Sequence, residues 1–286
     1  MTRRLLFVHA HPDDEASKGA PTAARYVDEG AEVVLVTCTG GEAGEVLNAG
    51  HPAVDPLELP GVRALELAAA VAIVGFTRTT GLGHLDSGWH EDLADVPEGT
   101  FAGVDVDDPA ATLATILREE RPHVVVTYPP DGGYPHPDHI RTHDVTMRAV
   151  ELAADPAAPG VDGDPWDVPR TVYGTGFPRE RTEALHEAMV EQGLESPFAD
   201  WIERIEERGP RDGDADPDVR VHVADWFPRR DDALRAHATQ VDPAGHWFAV
   251  PRDLEAAVYP WETYVLLRGE PYPPGADDLF AGLDDA

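Results

Sequence analysis

Leu5-Leu6-Phe7-Val8-His9-Ala10-His11-Pro12-Asp13-Asp14-Glu15 is a short apolar run that ends in a cluster of histidine and carboxylate. The apolar part, Leu5–Ala10, reads as a buried strand, and Glu32–Cys38 reads as a second one. Between them, Ser17–Glu29 carries Ala20, Ala23, Ala24 and Val27 at helical spacing, which makes the opening a βαβ unit. The alternation recurs along the chain. Val62–Val74 and Pro109–Glu120 have helical patterns, and His123–Tyr128 is a β-branched run bounded by prolines. Repeated units of this kind predict an α/β fold with a mostly parallel sheet flanked by helices. Ligands of such sheets gather at the carboxyl ends of the strands, where the His9–Glu15 and Pro129–His143 segments would emerge.

Composition narrows the class of function. The chain has 286 residues, 42% of them hydrophobic and 27% charged, and no apolar run approaches the roughly 20 residues that a spanning helix needs. A membrane protein is therefore not expected, and the basic start followed by a short apolar stretch reads as a first strand, not as a leader. The net charge of −32 repels nucleic-acid phosphates and anionic lipids. Cys38 is the sole cysteine, so no intramolecular disulfide forms and a reducing cytoplasm suits the chain. Lys18 is the only lysine among 22 basic residues.

Asp155–Asp167 and Glu206–Asp218 read as surface loops rich in Gly, Pro and acid. After the second, Val219–Ala224 reads as a strand and Phe227–Val241 as a helix with Leu234 and Ala238 inward. The expected organisation is a core over residues 1–205 with a small C-terminal lobe, 206–286, packed on the same core.

The chemistry is concentrated in two segments. After the first strand comes His9-Ala10-His11-Pro12-Asp13-Asp14-Glu15, and after the His123–Tyr128 strand comes Gly132-Gly133-Tyr134-Pro135-His136-Pro137-Asp138-His139. A catalytic zinc takes three protein ligands and keeps one position open, and His11, Asp14 and His139 supply two imidazoles and a carboxylate. Prolines in both segments stiffen the loops. Asp13, beside Asp14, cannot easily face the same ion and is free to act as general base toward an attacking water. Tyr134 and His136 sit where they could hydrogen-bond a developing oxyanion. Taken singly each motif is weak, since a lone histidine at a strand end is usually structural and Asp is a common helix N-cap. Two such motifs after two parallel strands favour the metal reading. His9 is expected to be structural, and His51, His84, His90, His123 and His143 to be structural or surface residues. Gly40-Gly41-Glu42-Ala43-Gly44-Glu45 lacks a phosphate-loop pattern and its acids repel phosphate, so it is expected to form a pocket wall.

With AHPDDE at Ala10–Glu15 and HPDH at His136–His139, the sequence resembles the PIG-L/LmbE-like family of N-acetylglucosaminyl deacetylases. The resemblance implies a Rossmann-like domain, zinc held by His11, Asp14 and His139, Asp13 as base, and Tyr134 and His136 as transition-state stabilisers. Iron(II) accepts the same donors. Glu15–Gly19, Gly132–His139 and Arg230–Gln240 are similar to the branch of the family that cleaves the amide of an S-substituted amino-sugar thiol conjugate. For that branch the resemblance implies a small-molecule substrate touched by Lys18, Glu45, Arg63, Asp86 and Gln240, and a mercapturic acid product. Two rivals stay open: deacetylation of N-acetylglucosaminyl-inositol or another acetylated amino sugar, and a metal-binding module without turnover. The sequence leaves a homo-oligomer open.

Overall fold

The computed structural model describes residues 2–208 and 216–283. Strands β1 (Arg4–His9), β2 (Glu32–Thr39), β3 (Arg78–His84), β4 (Val124–Thr127) and β5 (Arg170–Gly174) are parallel. β6 (Val219–His222) and β7 (Trp261–Gly269) add an antiparallel edge, and the seven strands lie in the order β3-β2-β1-β4-β5-β7-β6. The expected α/β architecture is present, with the sheet parallel except at this edge.

β1 is apolar at nearly every position because helices cover both of its faces. Leu5 and Phe7 pack with α2 (Ala20–Asp28), α3 (Leu59–Val74) and α8 (Phe227–Ala236). Leu6 and Val8, pointing the other way, pack with α4 (Asp107–Glu120) and α5 (Pro137–Ala154). A separate small core joins Leu185 and Met189 of α6 (Arg179–Glu191) to Leu254 of α9 (Arg252–Val258) and to Tyr259.

From β1 the chain moves outward through β2 and β3, then returns to β4 on the other flank of β1. The loops after β1 and β4 therefore diverge over a crevice, the usual ligand position in a doubly wound sheet.

Three expectations need correction. The predicted Ser17–Glu29 helix is interrupted: α1 (Asp14–Ser17) stops before Gly19, whose φ is 102°, and α2 then starts at Ala20. A Cβ at Gly19 would lie 2.7 Å from the Phe7 ring, so the break belongs to close packing of this turn on β1. The predicted helix to Val241 ends at Ala236, where His237 leaves helical geometry and bonds Glu15. The predicted strand over Val219–Ala224 ends at His222 and gives way to a 3-10 turn at Ala224–Trp226. Residues 216–283 contribute two strands to the common sheet. α7 (Ala199–Arg208) runs across the expected 205/206 division and takes in the start of the expected Glu206–Asp218 loop, of which 209–215 lie outside the described residues.

Candidate active site

The β1 loop makes a tight turn in which Asp13 adopts φ 103°, a left-handed conformation rare for a residue with a Cβ. Such a conformation costs on the order of 1–3 kcal/mol and persists only where neighbours enforce it. Here the Asp13 N–H donates to Glu15 Oε2 at 2.9 Å and the Asp14 carboxylate accepts from the His11 N–H at 3.0 Å. The β4 loop leads into α5, whose first turn is capped by His136: Nδ1 accepts from the Asp138 N–H at 3.1 Å. Because that nitrogen accepts, the proton of neutral His136 resides on Nε2, which makes the ring a donor. Burial, followed by the charges of His11 and His139, holds its pKa down at about 4.

The structure brings His11, Asp14 and His139 together; one ligand atom from each lies within 4.8 Å of the others, and all three residues are buried. His11 Nδ1 is 3.5 Å and His139 Nε2 is 3.4 Å from Asp14 Oδ2. The opposite nitrogens are occupied, His11 Nε2 by Asp138 Oδ2 at 3.2 Å and His139 Nδ1 by the Gly132 carbonyl at 3.2 Å. A proton on each occupied nitrogen leaves the other lone pair facing the carboxylate, the arrangement in which outer carboxylates and carbonyls orient metal-binding imidazoles. His11, His136 and Asp138 also lie within 4.8 Å of one another, but Asp138 there already accepts from His11 and from the Ser87 N–H at 3.0 Å. The His–Asp–His set thus fits a divalent ion by donor type, burial and orientation.

The electrostatics agree. Burial disfavours a charged His11, yet hydrogen bonds to Asp138, Asp14 and Asp86 outweigh it and hold its pKa well above the ordinary value. Burial likewise opposes ionisation of Asp14, but the Lys18 charge, then His139, keep it well below the usual carboxylate range. The pocket therefore favours positive charge at His11, whereas burial lowers the His139 pKa and keeps that ring neutral. Asp13 is different: burial, then the charge of Asp14, pushes its pKa up to about 6. Arg63 works against this shift, with Nη2 3.2 Å from Asp13 Oδ2 while donating to the Pro12 carbonyl at 2.6 Å. Asp13 is thus the more basic of two adjacent acids, as a proton acceptor near neutrality requires.

The other expected residues divide into two groups. Tyr134 places its hydroxyl 3.3 Å from His139 Nε2, and Asp86 Oδ1 lies 3.6 Å from His11 Nε2. Lys18 pairs with Asp14 Oδ1 at 2.6 Å. Gln240 stands farther round the rim and donates to the Glu45 carbonyl at 3.0 Å; the Glu45 side chain is exposed. The Gly40–Glu45 segment wraps the Arg63 guanidinium, whose Nη1 donates to the Gly41 carbonyl at 2.9 Å. A cavity of about 710 Å³ opens over this assembly, with Asp13, Asp14, Lys18, Tyr134 and Gln240 in its lining. His9 bonds Tyr128 and is buried at the end of β1.

Three participants were missed by sequence reasoning. Asp138 is fully buried and orients His11; its place inside HPDH was the available signal. Glu15 and His237 form a fully buried pair at 2.6 Å, with the second oxygen of Glu15 on the Asp13 N–H. No local signal links residues 222 positions apart.

Paired loops of histidine and acid at the switch point of such a fold make this an α/β protein whose His–Asp–His cluster fits a metal site. A family model described as "PIG-L: GlcNAc-PI de-N-acetylase" matches residues 6–150, and the chain belongs to that family. It is 47% identical to mycothiol S-conjugate amidase of Streptomyces coelicolor, with 99% of this chain and 98% of that protein covered. It is 42% identical to 1D-myo-inositol 2-acetamido-2-deoxy-alpha-D-glucopyranoside deacetylase of Streptomyces avermitilis, over 98% and 97% of the two chains. A conserved protein of Thermus thermophilus superposes with a TM-score of 0.59 at 25% identity, covering 96% of this chain and 99% of that one. The N,N'-diacetylchitobiose deacetylase of Pyrococcus horikoshii, at 18% identity and a TM-score of 0.60 over 93% and 84%, shares the fold.

Proposed function

We propose that the protein is a zinc-dependent amidase of mycothiol S-conjugates, hydrolysing the amide between the S-substituted N-acetylcysteine and glucosaminyl-inositol. The observation that carries the reading is the pair of pinned imidazoles facing Asp14, beside an acid whose pKa is raised. The likeness to the amidase of Streptomyces coelicolor over essentially the whole of both chains supports the substrate.

In this reading His11, Asp14 and His139 hold the ion, and iron(II) suits the same donors. When bound, the ion supplies Lewis acidity to the attacking water and the amide carbonyl. Asp13 takes the proton from that water as it attacks the carbonyl carbon, then hands it to the departing nitrogen so that it leaves as an amine. The Tyr134 hydroxyl and the Nε2–H of His136 donate to the carbonyl oxygen as its negative charge grows. Arg63 and Glu15 hold Asp13 in its left-handed turn throughout. The products are a mercapturic acid and glucosaminyl-inositol, which fits thiol-based removal of electrophiles. No helix among the described residues is long and apolar enough to cross a membrane, and a cytoplasmic site of action accords with the lone, buried thiol Cys38.

Identity above 40% to several inositol-sugar deacetylases favours a second reading, removal of acetate from N-acetylglucosaminyl-inositol. One purified sample assayed against the bimane conjugate of mycothiol and against the acetylated sugar separates the two. A larger kcat/KM for the conjugate is expected, and a strong preference for the acetylated sugar would overturn the amidase reading.

A further inference from the structure

A second cavity, of about 380 Å³, opens off the first and is walled largely by aromatic side chains, among them Phe177, Phe198, Trp201, Trp247 and Trp261. The two cavities share Ser17, Lys18, Tyr128, Phe177, Trp201 and Trp247 in their linings, so one passage leads from the His–Asp–His cluster into the aromatic chamber. The chamber lies within the common range of small-ligand sites, roughly 300–1,000 Å³. Resting on the amidase reading, we infer that this chamber receives the S-substituent of the conjugate and selects for planar aromatic groups that carry an acceptor oxygen.

Three observations carry the inference. The first is position. The amide to be cleaved must lie at the metal cluster, with the sugar on one side and the cysteinyl sulfur on the other. Arg63, Asp86 and Asp13 crowd one side with charge, whereas past Lys18 the passage gathers aromatic rings, with charged residues such as Arg230, Arg252 and Glu262 also in its wall. A flat aromatic group is thereby favoured in the second direction.

The second is wall geometry. Phe177 and Trp247 have ring centroids 5.7 Å apart, Tyr259 and Trp261 meet edge to face at 5.5 Å, and the Arg181 guanidinium lies 5.1 Å from the Phe177 centroid. Arg181 is itself held by Glu255 at 2.7 Å. Rings restrained in this manner present flat faces at little entropic cost to a planar guest.

The third is unmet hydrogen-bonding capacity. Buried polar atoms are normally paired, yet His9 Nε2, Thr182 Oγ1 and Arg181 Nη1, all from residues lining this chamber, have no hydrogen-bond partner. His9 is 2% and Thr182 1% exposed. The Tyr128 hydroxyl accepts from the Ala10 N–H at 3.1 Å and lies 3.1 Å from His9 Nδ1, with the Asp14 carboxylate as a second acceptor for its proton. Arg181 Nη1 and Thr182 Oγ1 can donate, and no acceptor among the described residues meets them. A hydrocarbon guest would leave them unsatisfied; a guest with a carbonyl or ether oxygen would not. The deacetylase reading offers only an acetyl group for this direction, which is far too small for the chamber.

The test compares kcat/KM for three mycothiol conjugates: S-methyl, S-naphthylmethyl and S-bimane, the last bearing carbonyl oxygens. The wild type should rank bimane above naphthylmethyl above methyl, with about tenfold between the extremes, expressed mainly in KM. In Trp201→Ala and Phe177→Ala the ratio of either bulky conjugate to S-methyl should fall about tenfold. Arg181→Lys keeps the charge and should lower the bimane to naphthylmethyl ratio specifically. Because each readout is a ratio within one sample, partial unfolding of a variant cancels. Hydrolysis of all three conjugates at ratios that these variants do not move would overturn the chamber assignment while leaving the amidase reading intact. Hydrolysis of none of them, with acetylated sugar still consumed, would overturn both.

Discussion

The metal edge and the aromatic chamber lie side by side in the same crevice and are built in opposite ways. The edge draws on two short segments, Ala10–Glu15 and Gly132–His139, whose residues are stiffened by proline and tied to one another within a few positions. The chamber draws single side chains from segments as far apart as His9, Arg181, Trp201, Trp247 and Trp261. Reaction chemistry demands fixed distances among a few donors, which short motifs supply; selection of a guest demands a shape, which distant segments can supply by packing. The edge should therefore fail abruptly when one residue changes, and the chamber by degrees.

Metal removal tests the edge most severely. Exhaustive chelation, or His139→Ala, should abolish turnover, and metal analysis should find the ion gone; zinc should restore the chelated wild type but not the variant. Asp13→Ala should retain the ion and lose about 10³-fold in kcat, within the range for a general base. Normal turnover in that variant would remove Asp13 from the mechanism.

The back of the chamber is stiffened by Glu255, which is 1% exposed and paired with Arg181, Arg230 and Arg252 at 2.7–2.8 Å. Glu255→Gln removes the charge facing three guanidinium groups, of which Arg230 and Arg252 keep Asp231 and Arg181 does not, and should cost about 3 kcal/mol at neutral pH, measured by denaturant unfolding. Although burial opposes its charge, hydrogen bonds and charges from Arg230 and Arg181 lower the Glu255 pKa to about 2, against 4.5 when unperturbed. A depressed carboxylate stabilises the fold above its unfolded pKa and loses that contribution as pH falls through the folded one. The gap in melting temperature between wild type and variant should therefore narrow between pH 4.5 and pH 2. A gap that does not change with pH would deny the ionic character of the cluster.

Smaller effects separate positioning from contact. His237→Ala releases Glu15, and through it Asp13, from a distance; kcat should fall about tenfold with KM and metal content little changed, a split that mere loosening of the fold would not give. His237→Gln, which can still donate to Glu15, should recover part of the loss. Gln240→Ala removes two rim hydrogen bonds, to the Glu45 carbonyl and to Thr239 Oγ1, each worth about 1 kcal/mol or less, and should raise KM about threefold.

The same contrast explains what the sequence disclosed. β1, β2 and β4 were legible because strands buried on both faces read as continuous apolar runs. β3 was not: Arg78-Thr79-Thr80-Gly81-Leu82-Gly83-His84 is an edge strand, largely exposed, with little apolar character to mark it. β7, whose Trp261 to Gly269 residues are mostly half-buried, lacked the same signal. At the site, His11, Asp14, His139 and Asp13 announced themselves by adjacency, and the structure gathers them. Lys18, expected at the substrate, lines the cavity and also pairs with Asp14 one helical turn earlier, a contact that the i,i+4 spacing already offered. The Glu15–His237 pair and the chamber depend on tertiary packing alone, so no window of sequence contained them.

The strand order has a consequence for how the molecule comes into being. β7 follows β6 in the chain, yet it sits between β5 and β6. β6 pairs with no strand but β7 among the described residues, so it must wait for a later-made neighbour before it can join the sheet. On a ribosome, where earlier segments fold first, the crevice would thus gain this wall only after β7 has emerged, and a nascent chain would be spared from working half-built.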